Sequence, residues 1–167
     1  AEDVAAIFEA ARWAASAFNE QPWRYIVATS DQQEEYAKLL SCLVDANQAW
    51  AQKAPVLALG LISLNYERNG KPNGTALHDL GLASANLTAE AVARGLQVHQ
   101  MAGILPDRAV ELFEVPEGFQ VVTGLAIGFP GEPEGDMGKR DLAPRSRRPR
   151  KEFVFGGRFG QPFSSEE

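Results

Sequence analysis

Residues 11–29 read ARWAASAFNEQPWRYIVAT, and the change of pattern inside this stretch decides how the chain is built. Upstream of its middle, Val4, Ile7, Phe8, Ala11, Ala15 and Phe18 recur at helical spacing, so an amphipathic helix is expected to begin almost at residue 1. Downstream, Trp23 to Thr29 carries Tyr25, Ile26 and Val27 and reads as a strand. The junction between them holds a hydroxyl (Ser16), two amides (Asn19 and Gln21) and an indole (Trp23). Such groups hydrogen-bond a flat heterocycle and its polyol chain without adding charge. The alternative is an ordinary helix end satisfied by Asn19, with Trp23 as core.

Outward from this junction, helical and extended patterns alternate. Ser30 and Gln33 have the spacing of a capping box, ahead of Tyr36, Leu39, Leu40 and Leu43 at helical period. After Pro55, Val56 to Ile62 is almost wholly apolar, as in a buried central strand. Residues 65–74, with Gly70, Pro72 and Gly74, form a polar loop. From Thr75 the helical period returns at Leu77, Leu80, Ser84, Leu87 and Ala91, and Gly95 is placed to end the helix. Small residues at Gly81, Ala83, Ala85 and Ala89 allow another helix to approach closely. A loop is expected over 98–104, then a short helix from Pro106 to Glu114 and a strand over Val121 to Ile127. Residues 129–152 are rich in Pro, Gly and charge and lead to Phe153, Phe155 and Phe159, the pattern of an arm that docks on something. Mixed elements with few βαβ alternations indicate an α+β layered domain.

The chain has 167 residues, enough for one domain with a sizeable core. Its net charge of −6 argues against a general polyanion binder, so no nucleic acid partner is expected. No run is long enough to span a membrane, and no signal peptide is visible at the start. The lone Cys42, between leucines, forms no intramolecular disulfide and reads as a buried inert thiol compatible with a reducing cytoplasm. His78 and His99 are too far apart in sequence to make a local metal site. No G-x-G-x-x-G, P-loop or nucleophile elbow is present.

Two further segments carry chemistry. Val98-His99-Gln100-Met101-Ala102-Gly103-Ile104 contains a glycine at which backbone N–H groups can approach a ligand; the plainer reading is a simple connection. Arg145-Ser146-Arg147-Arg148-Pro149 offers guanidinium forks suited to a phosphate dianion, or else a solvated basic tail.

Together these segments resemble, in order and over nearly the whole chain, the nitroreductase family of FMN enzymes. Ala11-Arg12-Trp13-Ala14-Ala15-Ser16-Ala17-Phe18-Asn19-Glu20-Gln21-Pro22-Trp23 is similar to the family pattern Ala-Arg-x-Ala-Pro-Ser-x-x-Asn-x-Gln-Pro-Trp, with Ala15 in place of proline. The helix from Ala76 to Gly95, with Asp79 and Asn86, resembles the family's long central helix at a homodimer interface. His99-Gln100-Met101-Ala102-Gly103 resembles the loop beside the flavin's reactive edge, and Ala126-Ile127-Gly128-Phe129-Pro130 the last core strand and its exit. Arg145-x-Arg147-x-Pro149 resembles the basic pair on the FMN phosphate.

The resemblance implies a dimeric α/β/α sandwich around a mostly antiparallel sheet, with a core over residues 1–130 and an arm over 131–167 that wraps the partner subunit. It implies FMN as cofactor, held by Ser16, Asn19 and Gln21 of one subunit and by His99, Gln100, Met101 and Gly103 of the other, with Arg145 and Arg147 on the phosphate. It further implies ping-pong hydride transfer from NAD(P)H to a small oxidised acceptor such as a nitroaromatic or quinone, with no side chain as catalytic acid or base. A degenerate flavin-binding protein without reductase activity is the alternative. A related FMN chemistry, such as dehalogenation or flavin destruction, has little room for its lid in the short loop over 65–74. Family members also carry an earlier Arg-x-Ser-x-Arg segment; none precedes Val4, which implies either an omitted lead-in, favoured by a start inside a helix, or FMN held with fewer cations.

Overall fold

Val56 to Ser63 forms β2, whose first seven residues are buried, because the apolar run of this strand is covered on both faces. The computed structural model describes residues 1–132 and 135–163 and divides the chain into a first unit, Ala1–Pro130, and a second that begins at Gly131. In the first unit β2 pairs with β1 (Trp23–Thr29) and β4 (Phe119–Gly128), and β4 pairs with β3 (Gln97–Met101), all antiparallel, in the order β1-β2-β4-β3. The pairing slips where Gly60 faces Thr123 but Leu61 faces Val121, leaving Val122 as the extra residue of a bulge on β4.

Alternation along β2 splits the core into two halves. Val56, Ala58 and Ile62 join one cluster with Ile7 and Ala11 of α1 (Glu2–Arg12) and Leu80, Ala83, Leu87 and Ala91 of α4 (Ala76–Ala93). Leu57, Leu59 and Leu61 join the other, with Tyr36 and Leu39 of α2 (Gln33–Ser41), Ala51 of α3 (Asp45–Ala51) and Ala109 of α5 (Pro106–Leu112). The result is a three-layer α/β/α arrangement in which α1, α2 and α4 each contribute an apolar stripe. Gly95, at φ 78°, ends α4: its N–H and that of Leu96 donate to the carbonyls of Val92 and Ala91 at 3.0 and 2.8 Å. That pair of bonds is the Schellman closure, and it requires the left-handed residue that glycine supplies. Pro106 opens α5 as expected.

Three sequence expectations need correction, and one helix was not foreseen. The first helix ends at Arg12, short of Ala15 and Phe18, because Trp13 and Ala14 close it by bonding back to Ala10 and Ala11 at 3.2 and 3.1 Å. Ser30 does not cap α2: its N–H donates to the Pro55 carbonyl, while the Gln32 carbonyl oxygen of the side chain accepts from the N–H and hydroxyl of Thr29. Residues 98–101, expected as part of a loop, belong to an edge strand over Gln97–Met101, since pairing to β4 satisfies their backbone on one side and leaves a polar sequence exposed. α3 was invisible in the sequence because DANQAWA has no helical apolar period and buries only Ala51.

The second unit contains α6 (Gly135–Leu142) and a hooked turn in which Gly156 and Phe163 donate backbone N–H bonds to Gln161 and Val154 at 2.8 and 3.1 Å. Phe155 and Phe159 pack at 4.7 Å between ring centroids, and Phe153, Phe159 and Phe163 are exposed. The arm expected over 131–167 includes residues 133–134 and 164–167, which lie outside the described residues.

Candidate functional site

Between α1 and β1 the chain makes a tight turn. Ser16 is extended, and its hydroxyl oxygen accepts the Gln21 N–H at 2.9 Å. Phe18, Asn19 and Gln21 all adopt the left-handed region, at φ 55°, 58° and 50°. Each such non-glycine residue costs on the order of 1–3 kcal/mol, less for asparagine, and persists only where its surroundings over-determine it.

Three contacts do that here. Asp79, in the first turn of α4 and 2% exposed, accepts the Ala17 N–H at 3.2 Å and lies 3.3 Å from the Thr75 hydroxyl. Glu20 accepts the Glu67 N–H at 2.8 Å and meets the Arg68 guanidinium at 3.5 Å. Arg68 in turn sits 3.6 Å over the Phe18 ring, a cation–π contact that closes the loop of interactions. Asn19, Glu20, Gln21, Glu67 and Arg68 line an open depression of about 440 Å³. Beside the Thr75 end, the Asn73 side-chain amide nitrogen is buried and without a hydrogen-bond partner.

The second group lies on and after β3. Successive side chains leave a strand on opposite faces, which separates His99 from Gln100. The His99 ring packs on Trp50 of α3 at 4.5 Å between centroids, whereas Gln100 reaches α4 and bonds to Thr88 at 3.0 Å. Met101 is buried, 6% exposed, and its carbonyl accepts the Thr123 hydroxyl at 3.0 Å, next to the bulge. The Gly103 carbonyl accepts from the Val44 N–H and the Asn47 amide at 3.1 and 2.9 Å. A Cβ on residue 103 would collide with the Asn47 amide and stand 2.9 Å from Val44 Cγ2, so only glycine fits. Asn47 and Trp50 thus build this side of the site, and no local pattern marks either. Arg68 was likewise unmarked inside its polar loop.

β1 and β3 are the two edges of the sheet. Three inter-strand steps of roughly 4.8 Å put about 14 Å between them. The first unit therefore gathers Ser16, Asn19 and Gln21 just ahead of one edge strand and His99, Gln100, Met101 and Gly103 on and after the other. Arg145 and Arg147 are exposed in the second unit, where the Arg147 guanidinium donates to the Ser146 carbonyl at 2.9 Å.

Ser16, Asn19, Gln21, Gln100 and the Gly103 backbone offer donors and acceptors without charge, with Asp79, Glu20 and Arg68 as the charged groups that brace the first place. Burial pushes the Tyr25 hydroxyl above its usual range where it meets Ser84 at 3.0 Å, and pushes the Cys42 thiol up as well. Among the described residues no cluster of His, Cys, Asp or Glu could hold a metal ion. No described helix is long and apolar enough to cross a membrane.

Known proteins share this architecture and sequence. A solved oxidoreductase containing FMN is 34% identical, superposes with a TM-score of 0.89, and is matched over 96% of this chain and 83% of its own. A nitroreductase family protein from Streptococcus pneumoniae shares the fold at 19% identity and a TM-score of 0.71, over 93% of this chain and 88% of its own. An uncharacterised 15.4 kDa protein of Mycolicibacterium smegmatis, from the ask 5′ region, is 32% identical over 136 residues, 80% of this chain and 90% of its own. The model of the nitroreductase family matches residues 1–129. With a family model over that span and a relative of 34% identity that shares the fold, the chain belongs to the nitroreductase family.

Proposed function

We propose that the protein is an FMN-dependent oxidoreductase that takes hydride from NADH or NADPH and delivers it to a small oxidised acceptor, such as a nitroaromatic or quinone, in ping-pong order. The observation that carries this reading is the likeness, at 34% identity and a TM-score of 0.89, to an oxidoreductase containing FMN. The residues fit the cofactor's chemistry. A neutral isoalloxazine edge and ribityl chain need neutral donors and acceptors, and the two groups supply hydroxyl, amide and backbone partners without a fixed charge.

When bound, FMN supplies the hydride acceptance and donation, for which no side chain need act as acid or base. The chain's own residues position and desolvate. Ser16, Asn19 and Gln21 of one protomer and His99, Gln100, Met101 and Gly103 of the other hold the two sides of the flavin. Arg145 and Arg147 supply guanidinium forks for its phosphate. A homodimer supplies both groups to one ligand, which the opposite sheet edges of a single chain do not. The outer side of α4 suits that interface: Leu77 and Val92 are 57% and 62% exposed, with Gly81, Ala85 and Ala89 exposed beside them. The segment after Gly131 serves as an arm on the partner, and the buried lone thiol suits the cytoplasm.

The test is the visible spectrum of the purified protein before and after FMN, then NADPH or NADH. Flavin bands near about 450 nm that shift on binding and bleach with a nicotinamide are expected. Bound flavin that no nicotinamide bleaches would leave a flavin-binding protein without reductase activity, and no binding would remove the proposal altogether.

A further inference from the structure

The Gln100 side chain has a fixed orientation. Its amide nitrogen lies 3.0 Å from the Thr88 hydroxyl and 3.4 Å from the Ser84 carbonyl. A carbonyl only accepts, so the NH₂ end of the amide must face α4. The Thr88 hydrogen is committed to that same Ser84 carbonyl at 2.7 Å, which leaves the Thr88 oxygen to accept from Gln100. Ser84, 2% exposed, is itself fixed by the Tyr25 hydroxyl at 3.0 Å. The set formed by the Ser84 carbonyl, the Thr88 hydroxyl and the Gln100 amide therefore has one direction of donation, with Gln100 donating to both. It turns the Gln100 side-chain oxygen away from α4, and no described residue donates to that oxygen.

We propose that Thr88 is a positioning residue that holds the Gln100 amide with its oxygen presented to a hydrogen-bond donor of the bound flavin. The proposal rests on the FMN reading above. The donor is an N–H of the ring or a hydroxyl of the ribityl chain, the same chemistry from two parts of one ligand. Without Thr88 the NH₂ loses its 3.0 Å acceptor and keeps only the Ser84 carbonyl at 3.4 Å, so the amide is free to turn its NH₂ toward the flavin donor and forfeit that hydrogen bond.

FMN and lumiflavin, the ring without its ribityl phosphate, are titrated by fluorescence quenching into the full-length wild type, Thr88→Val, Thr88→Ser, Gln100→Leu and the double variant Thr88→Val/Gln100→Leu. Valine keeps the shape of threonine and removes the hydroxyl. The expected result for Thr88→Val is an FMN Kd raised about fivefold to tenfold, the worth of one neutral hydrogen bond. Thr88→Ser restores wild-type affinity, and the double variant is no weaker than Gln100→Leu alone, because both remove the same contact. Loss of the Thr88→Val penalty with lumiflavin assigns the donor to the ribityl chain; its persistence assigns it to the ring, and both support the proposal. Unchanged FMN affinity in Thr88→Val, or penalties that simply add in the double variant, would overturn it. If Thr88→Val does not fold, Gln100→Leu at its exposed position decides, and wild-type affinity there overturns the proposal. Wild type that binds no flavin fails the functional reading instead.

Discussion

Asp79→Ala tests whether one buried carboxylate holds the strained turn at residues 16–21. Asp79 is 2% exposed and accepts the Ala17 N–H at 3.2 Å. A hydrogen bond to a charged group contributes about 1.5–3 kcal/mol, and the orphaned partly buried N–H of Ala17 adds its own desolvation cost. The carboxylate also gains about 0.3–1 kcal/mol from the amino end of α4. The Thr75 hydroxyl loses little, since it keeps Asn73 Oδ1 at 2.9 Å. Together these give a loss of about 3 kcal/mol for Asp79→Ala, or about 6–12 °C in Tm for a domain of this size. Asp79→Asn retains an acceptor for Ala17 and loses only the charge, so about 1 kcal/mol is expected. Thermal unfolding followed by circular dichroism gives both numbers, and an FMN titration of the same variants reports on the turn. With Ala17 released, only the Glu20, Arg68 and Ser16 contacts still hold the left-handed residues, and Asp79→Ala should lose flavin affinity well beyond Asp79→Asn. Equal losses in the two variants would refute the argument, because charge rather than acceptance would then matter. A gain in stability for Asp79→Ala would refute it too, since the desolvation of an unpaired carboxylate would then outweigh its bonds.

Gly103→Ala forces a Cβ against Asn47 and Val44; overpacking of this kind costs about 2 kcal/mol, seen as a Tm lower by about 4–8 °C, and an unchanged Tm would mean that the loop moves freely. Replacing Arg145 and Arg147 together with alanine should weaken FMN binding at least about tenfold by titration and leave riboflavin affinity unchanged, because only FMN carries the phosphate; equal losses for both ligands would dismiss the phosphate role. Cys42, whose thiol burial pushes up, should resist thiol-specific reagents at neutral pH in the native protein and react only after denaturation; labelling at native conditions would show an accessible thiolate. Ala85→Glu on the outer side of α4 should halve the mass measured by light scattering and release flavin in the same sample, whereas a dimer with bound flavin would move the interface elsewhere.

Much of the fold was legible because burial writes itself into period. β1 and β2 were read nearly residue for residue, since an apolar run between breakers has little else to be. α4 was legible at both ends, through Leu80, Leu87 and Ala91 on one face and Gly95 as terminator. What failed were elements whose reason lies outside their own residues. β3 is polar because it is an edge, and only its pairing to β4 makes it a strand. α3 contributes Ala51 to the core and otherwise faces the Gly103 loop, so seven residues carried no usable pattern. Phe18 matched the helical period of α1 by chance, yet it is 70% exposed and left-handed, held by Arg68 across a loop. Of the candidate site, the residue types were legible and their supports were not. Asp79, Asn47 and Thr88 each act through a partner 62, 56 or 12 positions away, a relation that no local spacing encodes.

Those supports explain how one helix can serve both halves of the site. The first turn of α4 fixes the Ser16–Gln21 turn through Asp79, and its middle fixes Gln100 through Thr88 and Ser84. Its inner stripe, Leu80, Ala83, Leu87 and Ala91, is committed to the core at 2% exposure or less, so α4 cannot rotate to improve either contact. The two half-sites are therefore set at a constant offset along one rigid rod, at about 1.5 Å per residue. If two such rods pack antiparallel through their outer faces about a two-fold axis, the first-turn group of one comes opposite the mid-helix group of the other, twice. The small residues on that face then have a geometric purpose, because each bulky side chain there would push the half-sites apart and widen the gap that a flat ligand must bridge. If the proposed dimer holds FMN across that interface, flavin binding and dimerisation are one equilibrium, and each strengthens the other by the same factor.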